Sequence, residues 1–199
     1  MKIFLQEDYY VDYSSGIIQS KASELFSENM TDLEKAKAAY SFVRDEISHS
    51  FDCDAEIITA RASDVLLHKT GICHAKANLL AALLRSQSIP TGFCFEHITL
   101  ADDDSLGYCV HAFNAVLLNK KWIKLDARGN KQGVNAEFSD DEPILAYPIR
   151  KEYDEYFFDG IFANSHKETM QMLEKAKSLQ DIMDNIPEYV MESPDIIEC

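Results

Sequence analysis

Two periods of apolar residues divide this chain. After Thr31, Leu33, Ala36, Tyr40, Val43 and Ile47 recur every three or four residues, the spacing of one helical face. Thr31-Asp32-Leu33-Glu34 is a capping box, so the pattern predicts a helix over about 32–47. Residues 48–60 are rich in Asp and Ser and read as loop, and 63–69 reads as a short helix stopped by Gly71. Ile72, Ala75, Leu79, Leu80, Leu83 and Leu84 then form the strongest helical stripe, with Lys76 its one polar intruder. It predicts a core helix from Cys73 to about Gln87, ended ahead of Pro90.

Beyond Pro90 the pattern becomes strand-like, over 92–100, 108–118 and 121–127. The middle run is apolar on both faces, which marks a central strand. Leu118-Asn119-Lys120-Lys121 reads as a hairpin tip, since Asn tolerates the left-handed backbone that tight turns need. Residues 130–156 are mixed and broken by Pro143 and Pro148. Ser165-His166-Lys167-Glu168 is a second capping box, predicting one helix at about 166–185 whose Met170, Leu173, Ile182 and Met183 pack on the domain. The acidic stretch 187–199 reads as a frayed tail. The expected fold is α+β, a helical N-terminal half packed on an antiparallel sheet. A single domain over 1–199 is expected, with its core at about 32–135 and a C-terminal extension at 136–199.

Composition narrows the partners. Nineteen basic against thirty-four acidic residues give a net charge of −15, which argues against nucleic acid and anionic membrane surfaces. The N-terminus turns acidic too early for a signal peptide, and no apolar run approaches a membrane span. Five cysteines (Cys53, Cys73, Cys94, Cys109, Cys199) are an odd number without framework spacing. They read as free thiols of an acidic cytoplasmic protein, with a Cys94–Cys109 disulfide open only to an oxidising compartment. The oligomeric state is left open.

Chemistry concentrates at three positions. Cys73 heads the strongest helix, where exposed N–H groups and the positive dipole end favour a thiolate. His111 and Asp126 lie on successive strands. A two- or four-residue hairpin loop puts them on one face as diagonal neighbours, roughly 7–8 Å apart at the backbone, so that imidazole and carboxylate meet. The roles that follow are Cys73 as nucleophile, His111 as base and Asp126 as the acid orienting the imidazole. The Cys73 N–H is a natural oxyanion donor. A second donor is sought in Ser48-His49-Ser50-Phe51-Asp52, without a choice among its members. His49 and His74 are candidate oxyanion or substrate contacts, although His74 is expected to point away from the nucleophile. Asp52, Arg128 and Asn130 are candidate supports for the site. Metal binding by Cys94-x-x-His97 and Cys109-x-His111 is the rival chemistry. It is disfavoured because three residues along a strand reverse the face, so no metal and no organic cofactor are expected.

Three segments resemble the transglutaminase-like superfamily of cysteine enzymes, whose core is papain-like. They are the nucleophile segment Ala62-Ser63-Asp64-Val65-Leu66 through Thr70-Gly71-Ile72-Cys73-His74-Ala75 to Ile89-Pro90; the histidine strand Tyr108-Cys109-Val110-His111-Ala112-Phe113; and the aspartate strand Trp122-Ile123-Lys124-Leu125-Asp126-Ala127-Arg128-Gly129-Asn130. The resemblance covers about 32–135 and implies the same triad. One departure is Ser88, where the family has Gly before Ile-Pro. The resemblance implies acyl transfer through a thioester, by a cysteine peptidase or amidase acting on a peptide or protein amide. Transglutaminase or deamidase action on glutamine side chains, or a non-catalytic interaction module, are the alternatives. The lack of an Asp-x-Asp-x-Asp-Gly loop argues only against a calcium-regulated transglutaminase.

Overall fold

A computed structural model describes residues 1–100 and 107–196. In chain order the elements are α1 (Gly16–Leu25), α2 (Asp32–Glu46), β1 (Ser48–His49), α3 (Ala62–His68), β2 (Thr70–Gly71), α4 (Cys73–Ser86), β3 (Thr91–Thr99), β4 (Tyr108–Leu118), β5 (Lys121–Leu125), β6 (Tyr156–Phe157), α5 (Lys167–Lys175) and α6 (Leu179–Asn185). The class is α+β, with the helices of the first half packed on an antiparallel sheet. Among the described residues no helix is long and apolar enough to cross a membrane.

The capping box of α2 forms as expected: Thr31 Oγ1 accepts from the Glu34 N–H while the Glu34 carboxylate accepts from the Thr31 N–H at 2.8 Å. Helix α4 is buried at every residue from Cys73 to Arg85, because α1, α2 and α3 cover one side and the sheet the other. Its two charged residues spend their donors on carbonyls. Lys76 bonds to the Ile47 oxygen, and Arg85 to those of Gln6, Thr91 and Ala163. The helix ends through Ser88 in the left-handed region (φ 60°), with the Ile89 N–H returning to the Leu84 oxygen at 3.1 Å. Serine thus takes the conformation for which glycine is the easier residue.

The sheet order is β5-β4-β3-β6. Strand β4 is central, paired with β3 along its length but with β5 only over Asn114–Leu118. The tip is a two-residue turn with Asn119 (φ 51°) and Lys120 (φ 68°) both left-handed, pairing Leu118 with Lys121. Phe93, Phe95, Val110, Ala112 and Val116 face the helices, while Cys94, Phe113 and Ala115 face a smaller core with Phe4 and Ile161.

Three parts differ from expectation. Helix α1 carried no legible pattern: it buries only Ile18 and Ala22, and Ser15 makes no capping bond. The expected helix over 166–185 is two helices. Ser165 donates its hydroxyl to Asn78 instead of capping, Ala176 turns extended, and Ser178 starts α6 afresh by accepting from the Asp181 N–H at 3.1 Å. The tail is docked through residue 196, because the backbone at 161–163 needs partners. Ile161 N–H donates to the Ile196 oxygen at 2.8 Å and Ala163 N–H to Asp195 at 2.7 Å. Cys199 lies outside the described residues.

Candidate active site

The approach to Cys73 is fixed by a small parallel ladder. Strands β1 and β2 pair Ser48 with Thr70 and His49 with Gly71, which brings His49 beside the segment entering α4. Gly71 is needed there, since a Cβ would stand 3.1 Å from the Ala75 Cβ. Ile72 is extended and no side chain caps α4, so its first N–H groups are left to the site. Cys73 is only 8% exposed.

His111 projects from the β4 face that also carries Phe113. Its Nε2 lies 2.9 Å from Asp126 Oδ2. Asp126 sits one residue past the end of β5, and its carboxylate also accepts from the Arg128 N–H at 3.0 Å and the Ala146 N–H at 2.9 Å. Those bonds hold the carboxylate on the imidazole edge. Tyr147 meets the His111 ring edge-on, with centroids 5.1 Å apart. With Nε2 engaged, Nδ1 is the ring nitrogen left for the thiol.

Electrostatics favour a charge pair. Burial alone would push the Cys73 thiol up. The His111 and His74 imidazoles and hydrogen bonding from His111 and His49 override it, holding the thiol well below its ordinary range. Burial would likewise lower His111, but the Asp126 carboxylate and the Cys73 sulfur hold it well above. The two groups together favour thiolate and imidazolium.

The supporting residues divide clearly. His49 interacts with the Cys73 sulfur, and burial lowers its proton affinity, keeping it a neutral donor. His74, expected to point away, has Nδ1 3.3 Å from Cys73 Sγ. In the first helical turn the Cβ tilts toward the N-terminus, which brings this neighbour back to the sulfur. Its ring stacks on Phe95 and does not line the cavity. Arg128 grips Asp52 through both terminal nitrogens, one at 3.0 Å, and Lys131 approaches the same carboxylate at 3.3 Å. Asn130 accepts from the Ala136 N–H at 2.7 Å and donates to its oxygen at 3.2 Å, locking a loop outside the cavity.

A cavity of about 250 Å³ opens on the thiol. Its polar side holds His49, Asp52, His111, Arg128 and Lys131, and its apolar side includes Phe51, Ile72, Ile98 and Val110. Met183 and Ile186 close it from the C-terminal extension, where the Pro187 oxygen accepts from the Val110 N–H at 2.8 Å. These late residues carried no local signal linking them to the cavity. Glu96 was also missed, although a lone carboxyl within a fully buried strand was visible as an anomaly.

The rival cysteine readings fail on register. Cys94 pairs with Phe113 and Cys109 with Ile98, four residues apart along β3, so no disulfide can join them. Cys94 enters the apolar core, while His97 stacks between Tyr108 and Tyr156 on the other face. Among the described residues no cluster of ligand side chains suits a metal.

The sequence model of the transglutaminase-like superfamily matches residues 19–127, just over half of the 199 residues. The match begins inside α1, earlier than the motif resemblance, and ends directly after Asp126. No curated protein sequence matches. Among solved structures, one described as a "Putative Cysteine Protease" from Cytophaga hutchinsonii superposes with a TM-score of 0.51 at 20% identity. The alignment covers 63% of this chain and 40% of that one, so this chain spans well under half of that protein. A second, described as a TGase, gives a TM-score of 0.40 at 15% identity over 92% of this chain and 52% of that one. By the family match over the segment that carries Cys73, His111 and Asp126, the chain belongs to the transglutaminase-like superfamily.

Proposed function

We propose that the chain is a cysteine-dependent acyl-transfer enzyme that hydrolyses a peptide or protein amide. The observation that carries this reading is that Cys73 and His111 line one cavity while Asp126 holds the His111 imidazole through Nε2. The Cys73 thiolate attacks the amide carbonyl carbon, and the tetrahedral oxyanion takes hydrogen bonds from the Cys73 N–H and from His49. The C–N bond breaks as the His111 imidazolium gives its proton to the leaving amine, leaving a thioester on Cys73. His111, now neutral, takes a proton from water as the water attacks the thioester carbon. The carboxylic acid leaves, and the thiolate–imidazolium pair is restored. Asp126 holds the tautomer and stabilises the imidazolium throughout. These steps draw only on the side chains named and on water.

An amine acceptor in place of water would make the same thioester a transamidation intermediate. The test is acyl-enzyme trapping by intact-mass spectrometry after acid quench. Peptide amides and an activated ester are supplied to wild type, Cys73→Ala and His111→Ala, with and without methylamine. The expected result is an acyl adduct on Cys73 in the wild type alone, released as free acid with methylamine present. Release as the methylamide would reassign the acceptor. No adduct from any acyl donor would refute the enzymatic reading in favour of an interaction module.

A further inference from the structure

Glu96 lies at the middle of β3, fully buried, and neither of its carboxyl oxygens has a hydrogen-bond partner. The register sets it directly opposite His111, so the two side chains leave the sheet from the same face. Glu96 Oε1 is 4.0 Å from His111 Nε2, the nitrogen bonded to Asp126. The titratable groups facing it are His111 and Cys109 from β4, Asp126 after β5, Cys73 from α4 and Glu155 ahead of β6. A carboxyl so placed has no donor to stabilise its ionised form, and the negative charges of Asp126, Cys73 and Glu155 already stand nearby. We propose that Glu96 is a positioning residue for the His111 proton: neutral, it leaves Asp126 as the only anion on Nε2, and ionised it becomes a second anion that tightens the imidazole's hold on that proton.

Burial pushes Glu96 up to about 8, with Asp126, Cys73 and Glu155 adding to the rise and His111 opposing it. The switch between its two states therefore falls just above neutral pH. Below it, His111 releases its proton to the leaving amine readily. Above it, the imidazolium persists, and both proton delivery and the later removal of a proton from water slow down. This consequence for turnover rests on the acyl-transfer reading; the coupling between the two side chains does not.

The test is the titration of His111 by NMR with isotope-labelled histidine from pH 5 to 11, in wild type, Glu96→Gln and Glu96→Asp, with thiolate absorbance at 240 nm alongside. Loss of the second anion should let His111 deprotonate about one pH unit lower in Glu96→Gln, with Glu96→Asp keeping part of the difference. A merely structural role would not move this midpoint while circular dichroism is unchanged. Identical His111 midpoints in wild type and Glu96→Gln would overturn the proposal. If Glu96→Gln does not fold, the wild type decides alone: the His111 resonances must carry an inflection at the midpoint of the Glu96 carboxyl signal, and its absence refutes the coupling. None of these readings needs a substrate. Failure to find turnover would sink the enzymatic reading and leave this result standing, and the reverse also holds.

Discussion

Replacing Asp126 by asparagine removes one charge and little volume. In the parent the Arg128 N–H donates to one carboxylate oxygen and the Ala146 N–H to the other; the single amide oxygen of the new side chain can keep one of these bonds, and its NH2 takes the other position. What disappears is the anion 2.9 Å from His111 Nε2. At an effective dielectric of about 20, that attraction is about 6 kcal/mol before desolvation is counted. Breaking buried pairs costs about 3–5 kcal/mol, so roughly two to four pKa units of imidazolium stabilisation are lost. The thiolate of Cys73 depends on that imidazolium, and a rise of about two units in the thiol follows. Its nucleophilicity increases with basicity, by a Brønsted coefficient of about 0.4–0.5, which offsets part of the loss. Iodoacetamide labelling of Cys73, mapped by mass spectrometry, should then be about tenfold slower in Asp126→Asn at acidic pH. Above the shifted value it should be several-fold faster. The two pH profiles cross. Parallel profiles separated by a constant factor would refute the charge-pair argument, because they would mean that access to the sulfur had changed and not its proton affinity.

Three other outcomes are expected. Asn130→Ala removes two bonds to Ala136 and should cost about 1–3 kcal/mol in chemical denaturation while leaving the Cys73 labelling profile in place. A shifted profile would make Asn130 part of the site's electrostatics. Met183→Ala opens the cavity from the C-terminal side, so a bulky maleimide should gain more in labelling rate than iodoacetamide; equal gains would show that α6 does not gate access. For Glu96→Gln the sign follows from linkage. Between 4.5, its ordinary value, and about 8, the native chain keeps a proton that the unfolded chain sheds, so stability falls as pH rises. At pH 7 that penalty is about 3 kcal/mol, and the variant should melt above wild type there, with the gap closing toward pH 4.5. A gap independent of pH would mean that Glu96 is ionised in the native state or already solvated.

What could be read from the sequence was what is decided within a few residues. The two-residue turn at Asn119 and Lys120 sets the parity of the hairpin, and parity alone puts His111 and Asp126 on one face. The stripe of α4 and its extended entry at Ile72 give Cys73 its place at a helix start. The remainder depends on distant partners. Nothing around Ile186 says that the next carbonyl will bond Val110, and nothing around His49 says that Gly71 will lie beside it. The second break in the extension was legible: Ser178 with Asp181 three residues on is an N-cap signal overshadowed by the longer apolar stripe. His74 was misjudged because helical periodicity describes where side chains lie along a face, while the first turn also folds them back toward its start.

The polar intruder in α4 has a place in the same electrostatics. A Cys73 thiolate, a His111 imidazolium and an Asp126 carboxylate leave one surplus negative charge in a buried site. Asp52 does not add to it, because Arg128 and Lys131 hold that carboxylate. Two groups answer the surplus from opposite sides. Glu96 stays protonated, which keeps a second negative charge out. Lys76, tied to the Ile47 carbonyl behind the site, is pushed down to about 7 by burial and by Arg128, while Asp126 draws it the other way. At neutral pH it is therefore balanced between ammonium and amine, and any gain of negative charge around Asp126 draws a proton onto it. An ionisable lysine in an otherwise apolar stripe is costly to folding. Here part of the cost is offset where it is incurred, by the field of the carboxylate that the charge pair itself requires, although burial still outweighs it.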